Sequence, residues 1–136
     1  MVPIGAIAAA PGYLVRSIRH PEYRAHLGER CGRLQEDVAA RLKRLRSRPV
    51  WIQGVSVGEV FLARTLLTAL AGGAGRLPAQ EEALTFVLSS TTPAGRHTAA
   101  GIEIRGLAGV FHFPIDWPPF VRRALDTIRP AAYISV

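Results

Sequence analysis

Apolar residues recur at helical spacing through the first third of the chain. Leu34, Val38, Leu42 and Leu45 follow at intervals of four, four and three, while Arg41, Lys43, Arg44 and Arg46 occupy the opposite side. An apolar stripe with a charged reverse is the pattern of a helix lying on a core. Ahead of it, Pro21 opens a short helix at Glu22, and Gly28 and Gly32 bracket its ragged end. The pattern changes at Pro49. Residues 50–55 form a short apolar run of β-formers, suited to a buried strand. Ser56-Val57-Gly58-Glu59 then opens a helix through Leu62, Leu66, Leu67 and Leu70, stopped by Gly72 and Gly73. Residues 74–82 read as a loop. Residues 84–89, 110–113 and 131–136 read as three further strands. Between them, Pro93 starts a helix after Thr92, and Asp116 caps a helix bearing Phe120, Val121, Ala124, Leu125 and Ile128 that ends at Pro130. Strand–helix alternation closing on a strand predicts an α/β fold, a Rossmann-like parallel sheet with crossover helices.

The 136 residues amount to about one domain. With 49% hydrophobic and 20% charged residues the chain is globular and not disordered. Charge narrows the partners: Lys and Arg total 17 against 10 acidic residues, a net +7, and Lys43 is the sole lysine. Arginine matches phosphate and carboxylate with a planar fork, so nucleic acid, anionic lipid and phosphorylated substrates all remain open. A single cysteine, Cys31, excludes an intrachain disulfide and a cysteine-rich metal site. Residues 1–15 are apolar but broken by Pro3, Gly5, Pro11 and Gly12, and fall short of the ~20 needed to span a bilayer. Arg16, Arg19, Arg24, Arg30 and Arg33 follow closely. Two readings stand: a segment resting on an anionic membrane face, or a helix packed on the domain.

Three stretches carry candidate chemistry. Ser56 to Glu59 fits a capping box, in which serine and glutamate each satisfy a backbone amide. A helix start after a buried strand is also a natural anion site, and Gly58 allows close backbone approach. Ser89 to Arg96 repeats the arrangement: Thr92 caps, Pro93 takes the first helical position, and Arg96 falls in the opening turn. Both would lie at one sheet edge, where open parallel sheets bind ligands. In Gly28-Glu29-Arg30-Cys31-Gly32 a carboxylate stands beside an arginine between two glycines, and its ordinary reading is a surface ion pair in a turn. No Walker or dinucleotide fingerprint is present. His20, His26, His97 and His112 lack metal-ligand spacing, so no metal or cofactor is expected and all four read as surface or packing residues. Trp51, Phe86, Phe111 and Phe113 fall in apolar strand runs and do not interleave with basic residues, which argues against nucleic acid.

Taken in order, these segments resemble the Kdo transferases. The resemblance rests on residues 51–60, on Thr91-Thr92-Pro93-Ala94-Gly95, and on Phe113-Pro114-Ile115-Asp116 with the Arg122-Arg123 helix, Ile128-Arg129-Pro130 and the closing strand. Upstream, Tyr23-Arg24 leading to Gly28-Glu29-Arg30-Cys31-Gly32 looks like the family's Glu-Arg-x-Gly segment. The resemblance implies the amino-terminal half of a GT-B glycosyltransferase in lipopolysaccharide biosynthesis. Residues 1–20 would be an apolar segment for membrane contact and residues 21–136 the acceptor-side domain, at the cytoplasmic face of the inner membrane. This domain would bind the lipid A precursor, and a second would bind CMP-Kdo, for a metal-free inverting transfer. Glu29 matches the general base. Ser56, Gly58, Glu59, Thr92 and Gly95 would line the cleft, with Arg30 and Arg96 on the acceptor. Gln53-Gly54 stand where the family usually has His-Ala, so a cleft contact is altered, and the amino-terminal segment is shortened. The family also continues past the final strand into its donor domain, so the expectation for these residues alone is no transfer. The reading from another class is a non-catalytic module using its arginines on anionic lipid or nucleic acid.

Overall fold

Trp51 and Ile52 belong to opposite faces of one sheet, and the fold is organised around that alternation. The structure, a computed structural model, describes residues 19, 21–72 and 83–136. The apolar amino-terminal segment, Arg19 apart, and the 74–82 loop lie outside the described residues.

Four strands, β1 (Val50–Gly54), β2 (Phe86–Ser90), β3 (Leu107–His112) and β4 (Ala132–Ser135), form one sheet in the order β3-β2-β1-β4. All pairings are parallel. Two short helices, α1 (Pro21–Arg24) and α2 (Leu27–Arg30), precede α3 (Glu36–Arg44). The crossovers are α4 (Val57–Ala71), α5 (Pro93–Ala100) and α6 (Pro118–Ile128). The fold is the expected Rossmann-like α/β sheet, each strand lying within a few residues of its expected place.

On one face Trp51, Val87 and Phe111 pack with Val38 and Leu42 of α3 and with Ala124 and Ile128 of α6. Trp51 lies among Phe111, Phe113 and Tyr133, with ring centroids 5.6, 5.6 and 5.3 Å away. On the other face Ile52, Phe86 and Leu88 pack with Val60, Ala63 and Leu67 of α4 and Ala99 of α5. Burial on both faces explains why the first two strands read as short, mostly apolar runs. The buried stripe of α4 is Val60, Ala63 and Leu67, so Leu62, one position off it, is 60% exposed.

Asp116 does not cap α6, contrary to expectation. Trp117 occupies the cap position in extended backbone, makes no side-chain cap bond, and is followed by Pro118 and Pro119. Two prolines leave the first two helical positions without amides to satisfy, and they hold the preceding residue extended. A carboxylate there has little to do. At the far end Arg129 turns left-handed (φ 51, ψ 52) and Pro130 blocks continuation.

Gly32 joins α2 to α6. Its φ is +76, and a Cβ there would sit 2.1 Å from the Phe120 carbonyl oxygen. Gly32→Ala therefore meets a disfavoured backbone and a clash with main chain together, and should cost at least about 2 kcal/mol. Urea unfolding measures it, and a midpoint matching wild type would contradict the packing described.

Candidate active site

The residues singled out from sequence gather at the carboxyl edge of the sheet. Val55, just past β1, accepts hydrogen bonds at its carbonyl from Ser90 Oγ and from the Thr92 amide, both 3.2 Å. The turns after β1 and β2 are thereby tied together. The capping box of α4 is formed, and Glu59 Oε2 accepts from the Val55 and Ser56 amides at 2.6 and 2.8 Å. Thr92 caps α5 by accepting from the Gly95 amide at 3.0 Å. Gly95 has no room for a side chain, since a Cβ would lie 2.2 Å from Ser90 Oγ. Gly58 differs: it is exposed, and a Cβ would meet nothing nearer than Ser56 Oγ at 4.0 Å. That helix start faces open space.

Glu29 and Arg30 are not a surface ion pair. They are 4% and 1% exposed and turn to different partners. The reason is the seating of α2 on the end of β3: the Ile115 amide donates to the Arg30 carbonyl at 2.9 Å, and the His112 amide donates to Glu29 Oε2 at 2.7 Å. Arg96, from the opening of α5, grips Glu29 with a fork, Nε to Oε2 and Nη2 to Oε1, each 3.3 Å. Gln35 Nε2 donates to Oε1 at 2.8 Å, and His26 Nδ1 lies 3.8 Å from the same oxygen. Four hydrogen bonds match the roughly four lone-pair positions of a carboxylate. Burying a charge is costly without such partners. Arg30 Nη2 donates to the Thr91 carbonyl at 3.2 Å, bracing the Thr91–Thr92 turn. Burial lowers the Arg30 guanidinium to about 10, which leaves it cationic at neutral pH.

Gln53 is 3% exposed and lies inside a polar chain. Trp51 Nε1 donates to Ser89 Oγ at 2.7 Å, Ser89 Oγ donates to Gln53 Oε1, and Gln53 Nε2 donates to Thr91 Oγ1 at 2.9 Å. Gln53 thus supports the Thr91 turn from within.

His112, read as surface or packing, is fully buried, and both ring nitrogens lack hydrogen-bond partners among the described residues. Its ring lies 5.1 Å from that of His26. Burial, then the Arg30 charge, push it down to about 4, with His26 and Arg96 adding to the effect and Glu29 opposing it. The unfolded chain titrates near 6.5 and so binds a proton first as pH falls. Stability from this group is complete above about 6.5 and is lost between there and about 4, at no more than about 1.4 kcal/mol per pH unit. Denaturant melts should show that slope, and His112→Leu should flatten it. An equal slope in both proteins would assign it elsewhere.

Gln35, His26 and His112 joined the site only through the structure. The contribution of His112 to Glu29 is a backbone amide, which leaves no trace in residue type. Among the described residues no group of three or more His, Cys, Asp or Glu is placed to hold a metal, and no helix is long and apolar enough to cross a membrane.

Searches of the curated proteins and of the solved structures returned no match. The profile of a family described as 3-deoxy-D-manno-octulosonic-acid transferase (kdotransferase) matches residues 25–136. That span holds Glu29, Arg96, both hydroxyl-rich turns and the whole sheet. The chain therefore belongs to the 3-deoxy-D-manno-octulosonic-acid transferase family, as its amino-terminal domain, and so to the glycosyltransferases of lipopolysaccharide biosynthesis.

Proposed function

We propose that this domain is the acceptor side of a GT-B enzyme that moves Kdo from CMP-Kdo to a lipid A precursor, with Glu29 as general base. One observation carries the reading. The carboxylate matching the family's base is buried at the sheet edge and held by an arginine of the very turn expected to line the cleft. The acceptor hydroxyl attacks the anomeric carbon, the bond from that carbon to the CMP phosphate oxygen breaks, and CMP leaves with the electron pair. The hydroxyl proton passes to Glu29, and the anomeric centre inverts.

Glu29 has no spare lone pair while four donors hold it. The two bonds from Arg96 are the longest, and that side chain is 11% exposed. An anionic group on the acceptor would draw Arg96 towards itself and free a carboxylate oxygen for the proton. Ser56 and Gly58, both exposed, stand at the open start of α4, at the same sheet edge. The donor is held by a second domain, and the reaction takes place at the cytoplasmic face of the inner membrane, where the arginine-rich surface meets anionic lipid.

The test is transfer of labelled Kdo to a lipid A precursor by protein joining this domain to a donor domain of the family. Product is expected only with both domains and an intact Glu29. Full transfer without this domain would overturn the assignment.

A further inference from the structure

A groove of about 820 Å³ runs between α3 and α6 and shares no lining residue with the Glu29 cluster. Leu42 and Ile128, both buried, line its apolar part. Lys43, Arg46 and Arg48 come from the end of α3 and the following loop, and Arg122, Arg123 and Arg129 from α6 and its cap. All six cations are exposed, and Asp126 is the one acidic lining residue. Among the described residues none of the six forms an ion pair, and only Arg123 makes a side-chain hydrogen bond, to the Cys31 carbonyl at 3.0 Å.

An excess of five positive charges in one groove is most of the net +7 of the whole chain. Helix carboxyl ends are stabilised by a cation or two in the last turn. Six gathered on two facing walls exceed that need and repel one another. Such an arrangement becomes favourable when an anion lies between the walls. Five of the six are arginines, whose planar fork matches phosphate oxygens two at a time. Ser47 and Thr127 add hydroxyls to the lining. No aromatic residue lines the groove, so it offers no platform for a nucleobase.

We propose that the α3–α6 groove is a second binding site, for phosphate groups carried either by a lipid headgroup or by a small soluble diphosphate. The site does not depend on the transferase reading, and loss of Glu29 function would leave it intact.

Two probes separate the sources: inorganic pyrophosphate by isothermal titration, and co-sedimentation with vesicles of phosphatidylglycerol in phosphatidylcholine. Binding in at least one arm is expected. Pyrophosphate binding assigns a soluble ligand, and binding to the anionic vesicles alone assigns a headgroup. The double variant Arg122→Gln/Arg129→Gln should weaken binding by about tenfold or more, as the loss of two charge-assisted contacts implies. Arg64→Gln/Arg105→Gln removes the same charge from exposed positions outside the groove and should change binding by less than about twofold at 0.15 M salt. If the first pair fails to fold, Arg46→Gln/Arg48→Gln on the facing wall takes its place under the same criterion. Equal losses in groove and control variants would reduce the effect to diffuse charge and overturn the proposal. So would no binding in either arm, or tighter, groove-dependent binding to a DNA duplex.

Discussion

Glu29→Gln should lower turnover by about 100- to 10,000-fold in protein joining this domain to a donor domain. An acceptor hydroxyl is a poor nucleophile until its proton has somewhere to go, and glutamine keeps the shape of glutamate without taking that proton. The substitution also disturbs the local network. A glutamine amide turns an N–H₂ toward Arg96 or toward the His112 amide, both of which now donate to the carboxylate. Turnover must therefore be expressed per folded molecule, with the folded fraction read from a thermal melt at the assay pH. Glu59→Gln supplies the contrast. Glu59 accepts only backbone amides at the α4 cap, so its loss should cost about 1 kcal/mol of stability and leave turnover within about tenfold. Near-normal turnover in Glu29→Gln would remove it as the base. A large turnover loss in Glu59→Gln at unchanged stability would move that role to the cap.

Arg96→Met should destabilise the domain by about 3–5 kcal/mol. The guanidinium supplies two of the four hydrogen bonds to Glu29, and its removal leaves a carboxylate 4% exposed without the cation that grips it. That is a large share of the roughly 5–15 kcal/mol by which a domain is stable. The Arg41–Asp37 pair on α3 is a built-in reference. Its side chains are 54% and 62% exposed, so Arg41→Met should cost no more than about 1 kcal/mol. Urea unfolding of both variants and wild type makes the comparison. Equal, small losses would mean that Arg96 does not stabilise a buried charge, and the proposed exchange of Arg96 between Glu29 and acceptor would lose its basis.

The parallel sheet was legible because both of its signals are local. Buried central strands show as short, mostly apolar runs, and the crossover helices announce themselves by caps such as Ser56–Glu59 and Thr92–Pro93. Asp116 misled because the cap falls one residue later, at Trp117: Pro118 and Pro119 remove the first two amides, and the Trp117 carbonyl takes those of Phe120 and Val121. The cleft turns could be placed at one edge from strand direction alone. What could not be read was the environment of Glu29. Its partners Gln35, Arg96 and His112 are set by the docking of α2 on β3, a contact between segments 83 residues apart. A carboxylate next to an arginine in sequence looks like a pair. Here each of the two neighbours is buried and finds a partner from elsewhere in the chain, Arg96 for Glu29 and the Thr91 carbonyl for Arg30.

The position of β1 bears on how the chain is made. It is the one strand with neighbours supplied by both β2 and β4, and the second pairing sets Val50 against Ala132. A ribosome working at about 5–20 residues per second delivers β4 roughly 4–16 s after β1. Throughout that interval one hydrogen-bonding edge of the central strand stays open. Trp51 likewise waits for Tyr133, which completes its aromatic surroundings. The nascent domain thus presents an unpaired β1 edge while its hydroxyl-rich turns are already synthesised, and an open edge is where pairing with another chain begins. For this fold, protection during synthesis matters most at β1, and the arrival of residues 132–135 ends that exposure.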